Sequence, residues 1–161
     1  MVITEEDILQ ALTEVADPEI PVLSVVDMGI ISNIEIKQDD ITVSMTPTFV
    51  GCPAIDFMKK SIYDKLTEKG YSSVNVLVDM DTPWTSDKMS PEAKDKLEKF
   101  GIAPPTALES ELTAEMLDKV RCPHCKSTDT TLNSPFGSTL CRAIRFCYNC
   151  KQGFEQFKPV A

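Results

Sequence analysis

Four of the six cysteines form two C-x-x-C pairs, Cys122-Pro123-His124-Cys125 and Cys147-Tyr148-Asn149-Cys150, separated by 21 residues. Each pair can aim two thiolates at a point about 2.3 Å away, and two pairs together complete a tetrahedron around one metal ion. The spacing predicts a structural zinc site on Cys122, Cys125, Cys147 and Cys150, with a mononuclear iron site of the same geometry as the alternative. A catalytic metal is not expected, because four sulfurs leave no position for water. A segment of about forty residues holds few core side chains, so the metal supplies folding energy there. His124 lies inside a knuckle turn, where side chains face solvent, and is not expected to be a ligand.

A fifth thiol lies elsewhere, in Thr46-Pro47-Thr48-Phe49-Val50-Gly51-Cys52-Pro53-Ala54. The stretch joins an alternating, strand-like run to an amphipathic helical run. Near a helix N-terminus, unsatisfied N–H groups and partial positive charge favour the thiolate of Cys52 over the thiol. Gly51 lets the backbone turn, and Pro53 suits a first helical turn. Local chemistry leaves two readings: a reactive or metal-contacting thiol, and a buried structural cysteine. Cys141 is the sixth thiol. On a strand over 139–147 it would lie roughly 20 Å from Cys147, too far to share that metal; it reads as a buried small hydrophobe or as part of a second site shared with a partner or with Cys52.

The elements that must position these groups follow from periodicity. Thr4 with Asp7 approximates a capping box, and Ile8, Leu12 and Val15 repeat at helical spacing. Residues 17–31 mix turn chemistry with apolar side chains and read as a packed loop closing the helix before Pro18. Ile30, Ser32, Ile34 and Ile36 fall on one strand face, and Ile41, Val43 and Met45 on the next, with an Asp39-Asp40 turn between them. Ile55, Met58, Ile62 and Leu66 mark a helix ending at Gly70, and Val74, Val76, Val78 and Met80 mark a third strand. Helix, strand, strand, helix, strand predicts a small α+β domain with its helices on one sheet face. Ser90-Pro91 starts a further helix that Gly101 ends. The expected domains are 1–103, a linker over 104–119 opened by Pro104-Pro105, and a β zinc ribbon over 120–161.

Charge narrows the partners. Nineteen acidic residues face nine basic ones up to residue 101, four face one from 102 to 119, and two face six from 120 onward. The acidic body argues against nucleic acid, whose phosphates need Lys and Arg. The basic tail shrinks to about +2 once four thiolates and a zinc ion are counted. No run approaches the ~18 apolar residues of a membrane span, and the acidic start is unlike a signal peptide. A cytoplasmic protein is expected.

Asp17-Pro18-Glu19-Ile20-Pro21, Asp27-Met28-Gly29-Ile30-Ile31 and Thr46 to Pro53 together resemble the domain of SufT-type and cytosolic iron-sulfur assembly factors. Gly101-Ile102-Ala103-Pro104-Pro105, Phe136 to Cys141, the second knuckle and Phe154-Glu155-Gln156-Phe157-Lys158 narrow the resemblance to the PaaD family of phenylacetate degradation. It covers nearly the whole chain. It implies a non-enzymatic accessory factor for iron-sulfur or iron-centre assembly in the phenylacetyl-CoA epoxidase system, serving the reductase or the di-iron subunit. It carries Cys52 and Asp27 over as the cluster- or iron-contacting surface. It differs from the family at Lys88, where a second tryptophan is common, and after Lys158, where further Cys or His are common.

One thiol cannot hold a cluster alone, since clusters take four cysteine ligands, so contact through Cys52 would be transient or shared, a homodimer being one way to share it. Two other readings stay open: a thiol-dependent enzyme using Cys52, and a zinc-ribbon interaction module without metal cargo. The first domain has no histidine and no C-x-x-C for thiol chemistry, which disfavours the enzyme.

Overall fold

The structure, a computed structural model, describes residues 2–48, 53–106 and 120–159. The chain divides into two compact units, Met1–Trp84 and Thr85–Ala161.

In the first unit, α1 (Glu5–Leu12) begins with the expected box: the Asp7 N–H donates to Thr4 Oγ1 at 3.2 Å, and the Thr4 N–H donates to Asp7 Oδ2 at 3.0 Å. Ile8, Ala11 and Leu12 are buried. A loop follows in which Ile20, Leu23, Val25 and Met28 are buried, so it is a packed loop as its apolar content predicted. Its backbone is held internally. Asp17 Oδ1 accepts from the N–H groups of Glu19 and Ile20, and Asp27 and Ser24 exchange side-chain to backbone bonds at 3.0 Å.

β1 (Ile31–Lys37) pairs antiparallel with β2 (Asp40–Met45), and β2 pairs parallel with β3 (Ser73–Val78) across the helix α2 (Ile55–Glu68). Ile41, Val43 and Met45 alternate into the core, where Met58, Ile62 and Leu66 of α2 are also buried. Since α1 packs on α2 and α2 on β3, the helices cover one sheet face, giving the expected helix-strand-strand-helix-strand α+β unit. One detail differs from strict alternation: the register shifts between Ile31 and Asn33, so Ser32 is exposed and not in line with Ile34 and Ile36. A bulge there spends one residue without a cross-strand partner.

In the second unit a short 3-10 turn, Ser86–Lys88, leads to α3 (Pro91–Phe100). Ser90 Oγ accepts the Ala93 N–H, Pro91 opens the helix, and Gly101 closes it at φ 98°, a left-handed conformation natural to glycine. Then come β4 (Ile102–Ala103), β5 (Thr130–Ser134), β6 (Arg142–Cys147) and β7 (Gly153–Phe157), in spatial order β4-β7-β6-β5. Residues 85–103, grouped by the sequence with the first domain, thus cluster with the ribbon, whose sheet β4 joins parallel to β7. Of the expected linker 104–119, residues 107–119 lie outside the described residues. No described helix is long and apolar enough to cross a membrane.

Candidate metal centre and the strand ends leading to Cys52

The second unit brings Cys122, Cys125, Cys147 and Cys150 together, each sulfur within 4.8 Å of the others. Cys122 Sγ and Cys150 Sγ are 3.8 Å apart, and Cys125 Sγ and Cys147 Sγ are 3.5 Å apart. Four metal–sulfur bonds of about 2.3 Å set tetrahedron edges of about 3.8 Å, so the sulfurs fit one closed metal ion of zinc's size. Such an ion, when bound, would supply structural cross-links and no reactive position.

Backbone geometry explains the convergence. The Cys122 N–H donates to the Ser127 carbonyl at 2.8 Å, and the Cys147 N–H to the Gln152 carbonyl at 2.9 Å. Both knuckles therefore close on the fifth residue beyond their first cysteine. Lys126 and Lys151, each following a second cysteine, adopt φ of 67° and 61°. These left-handed lysines are the feature that sequence reasoning missed. The repeated Cys-x-x-Cys-Lys pattern was its signal.

Electrostatics differ between the thiols. Asn149 Nδ2 donates to Cys125 Sγ at 3.4 Å. That bond, with a backbone bond at Ser127, lowers the Cys125 thiol to about 6 and favours the thiolate a metal needs. Desolvation pushes the half-buried Cys150 thiol up to about 12, a proton that metal binding would displace. Ala103, Val120 and Phe154 pack with Cys122 and Cys147 in the core beside the site. His124 lines a groove with Phe100, Ile102 and Ile144 and is not one of the converging groups. Cys141 is buried just before β6, its sulfur 3.0 Å from Thr139 Oγ1, and stands apart from the four.

Cys52 lies outside the described residues, as do Phe49, Val50 and Gly51. The chain leading to it is described. Ile31 pairs with Met45, and the Thr46 N–H donates to the Ile30 carbonyl at 2.7 Å. The segment carrying Asp27 therefore enters the sheet at the same end from which the chain departs toward Cys52. Asp27 is half-buried, its carboxylate accepting the Ser24 N–H. A cavity of about 220 Å³ opens at that end, lined by Thr46, Thr48, Asp79, Thr82 and Trp84. Thr46 Oγ1 is buried there without a hydrogen-bond partner among the described residues. On the far side of the junction α2 starts at Ile55 with Ala54 as its cap residue and no side-chain cap bond.

The α+β unit and the four-cysteine ribbon each have a counterpart among known protein families. Residues 5–78 match the family described as iron-sulfur cluster assembly protein, and residues 107–158 match the PaaD zinc beta ribbon domain. A protein of Escherichia coli K12, provisionally named as a subunit of 1,2-phenylacetyl-CoA epoxidase, is 38% identical, over 96% of this chain and 92% of its own. The chain belongs to the PaaD family. A protein of Porphyromonas gingivalis named Fe-S protein maturation auxiliary factor is 42% identical, over 56% of this chain and 87% of its own. A DUF59 domain of Bacillus anthracis has a similar fold, with a TM-score of 0.55 and 25% identity, covering 58% of this chain and 90% of that one.

Proposed function

We propose that the chain is a cytoplasmic, non-enzymatic accessory factor that matures an iron-sulfur or iron centre of a phenylacetyl-CoA epoxidase-type oxygenase, in its reductase or di-iron subunit. In this reading the first unit meets the iron or iron-sulfur species through Cys52, with Asp27 on the same surface. The ribbon, with zinc on Cys122, Cys125, Cys147 and Cys150, docks the client.

The observation that carries the reading is the union of both matched segments in one chain whose likeness to the Escherichia coli epoxidase protein spans 96% of its length. The name of the Porphyromonas relative, together with the iron-sulfur cluster assembly family matched over residues 5–78, supports handling of iron-sulfur centres by the first unit. The closed sulfur tetrahedron supports a structural role for the ribbon metal. Arrival of the Asp27 segment and departure of the Cys52 segment at one sheet end support a shared surface. One thiol and one carboxylate fall short of the four ligands a cluster takes, which favours transient or shared ligation.

Anaerobic reconstitution with iron and sulfide, followed by metal counting in the wild type and in Cys52→Ser, tests the cargo. A substoichiometric chromophore that depends on Cys52 is expected. In cells, Cys52→Ser is expected to leave the fold intact and the client unmetallated; fully metallated epoxidase components in that strain would refute the proposal.

A further inference from the structure

The two edges of the three-stranded sheet are built differently. An exposed edge offers unpaired N–H and C=O groups to any passing strand, and proteins blunt it with bulges, charges or proline. The β1 edge is blunted: it carries the bulge at Ser32, and Glu35 and Lys37 form an ion pair at 2.9 Å. The β3 edge is not. Ser73-Val74-Asn75-Val76-Leu77-Val78 has no charge and no proline, and it pairs with β2 in unbroken register from Asp40↔Ser73 to Met45↔Val78.

The direction of its free groups follows from one bond. The Asp79 N–H donates to the Met45 carbonyl at 2.8 Å, toward β2. Backbone groups alternate sides along a strand, so Ser73, Asn75 and Leu77 also face β2, and Val74, Val76 and Val78 turn their N–H and C=O outward. A groove of about 390 Å³ runs between this edge and α2, lined by Asp56, Lys59, Lys60, Tyr63, Val74 and Val76. Tyr63 in the groove is 48% exposed, and Leu77, on the opposite face of the sheet, is 46% exposed, so an added strand would meet an apolar side chain on each face.

Charge selects the occupant. Asp40, opposite Ser73, and its neighbour Asp39 stand at one end of the edge, and Asp81 at the other, beside Asp79, whose Oδ1 already accepts the Asp81 and Thr82 N–H groups. The whole unit to Trp84 carries fifteen acidic residues against five lysines. A second copy would bring the same excess of negative charge, with a net charge of -9 per chain.

We propose that the β3 edge accepts an extended strand from another protein, apolar at alternate positions and basic at both ends. Val74, Val76 and Val78 supply the backbone bonds, the groove beside α2 takes every second side chain, and Asp39 and Asp40 at one end and Asp81 at the other hold the cationic ends. The inference rests on the first unit's fold alone and stands whether or not Cys52 meets iron.

The probe is a fluorescent peptide alternating valine and threonine between paired lysines, titrated against the full chain by anisotropy. Replacing the lysines with glutamates is expected to weaken binding at least about tenfold, as is Leu77→Lys at its exposed position, with circular dichroism unchanged. N-methylating the amides on one side of the peptide should abolish binding, and on the other side leave it intact. Amide exchange at Val74, Val76 and Val78 should slow in the complex. No binding, indifference to either N-methylation pattern, or unchanged exchange at those valines would overturn the proposal. So would a dimer in sedimentation that Leu77→Lys dissolves, since the edge would then belong to a second copy.

Discussion

The indole Nε1–H of Trp84 donates to the backbone carbonyl of Met28 at 2.9 Å, and both residues are buried. The bond fastens the last residue of the first unit to the packed loop that carries Asp27. Trp84→Phe keeps most of the apolar bulk and removes this donor. A loss of about 1–3 kcal/mol is expected, read from the urea midpoint, because a buried carbonyl deprived of its donor keeps its desolvation penalty. A loss near zero would mean that packing alone holds the loop.

Removal of the ribbon metal should act on one unit. Chelation, or Cys147→Ser, is expected to reduce bound metal from one ion per chain toward none and to release the amides of β5, β6 and β7 to fast exchange. The amides of β1, β2 and β3 should keep their protection. Hydrogen exchange with metal counting checks both halves of the statement.

Glu98 links α3 to the first knuckle. Its Oε1 accepts from Lys126 Nζ at 2.7 Å and from Arg121 Nη2 at 3.0 Å, and these cations, Lys126 first, hold its carboxyl below the ordinary glutamate range. A lowered folded pKa adds stability above the unfolded pKa, and this is lost as pH falls through the folded value. The stability gap between wild type and Glu98→Gln should therefore be open at neutral pH and close in acid. Unfolding curves of the two proteins at matched pH values measure it.

Two glycines of the second unit should respond differently to alanine. At Gly101 a new Cβ would meet nothing closer than His124 Cε1 at 3.7 Å, so Gly101→Ala carries only the left-handed backbone penalty of about 1–2 kcal/mol. At Gly137 the Cβ would sit 2.7 Å from Glu155 Oε2 and 3.1 Å from the Arg142 carbonyl. Glu155 can swing away, but the carbonyl cannot without shifting the turn. Gly137→Ala should cost about 1–3 kcal/mol and disturb the bonds from Ser138 to Glu155, visible as shifted Ser138 resonances.

Much of this was legible in the residues because local rules and the fold agree. Thr4 and Asp7, Ser90 and Pro91, and Gly101 mark helix ends through their own side chains or lack of one, and the structure uses each as read. The strict alternation of Ile41, Val43 and Met45 required a half-buried strand, and the C-x-x-C spacing required convergence of four sulfurs. What escaped depends on partners far along the chain. Ile102-Ala103, between a helix-ending glycine and two prolines, is too short a run to announce a strand; only β7 makes it one. Ser32 kept its place in the alternation, yet a one-residue slip against Ser44 turned it outward. The bond from Asn149 to Cys125 joins opposite knuckles, and no local pattern announces it.

The pairing of β4 with β7 also sets an order of events in folding. Ile102 meets Glu155, so joining the two strands closes a loop of about fifty residues, an entropic step that slows such contacts. The knuckles lie inside that loop. Once a metal ties Cys122 to Cys150, the chain still to be closed falls to about twenty-five residues, a saving of about 0.6 kcal/mol and roughly a threefold gain in closing rate. A bound ion would thus speed the docking of β4 and favour, by that factor, the route in which the knuckles close first.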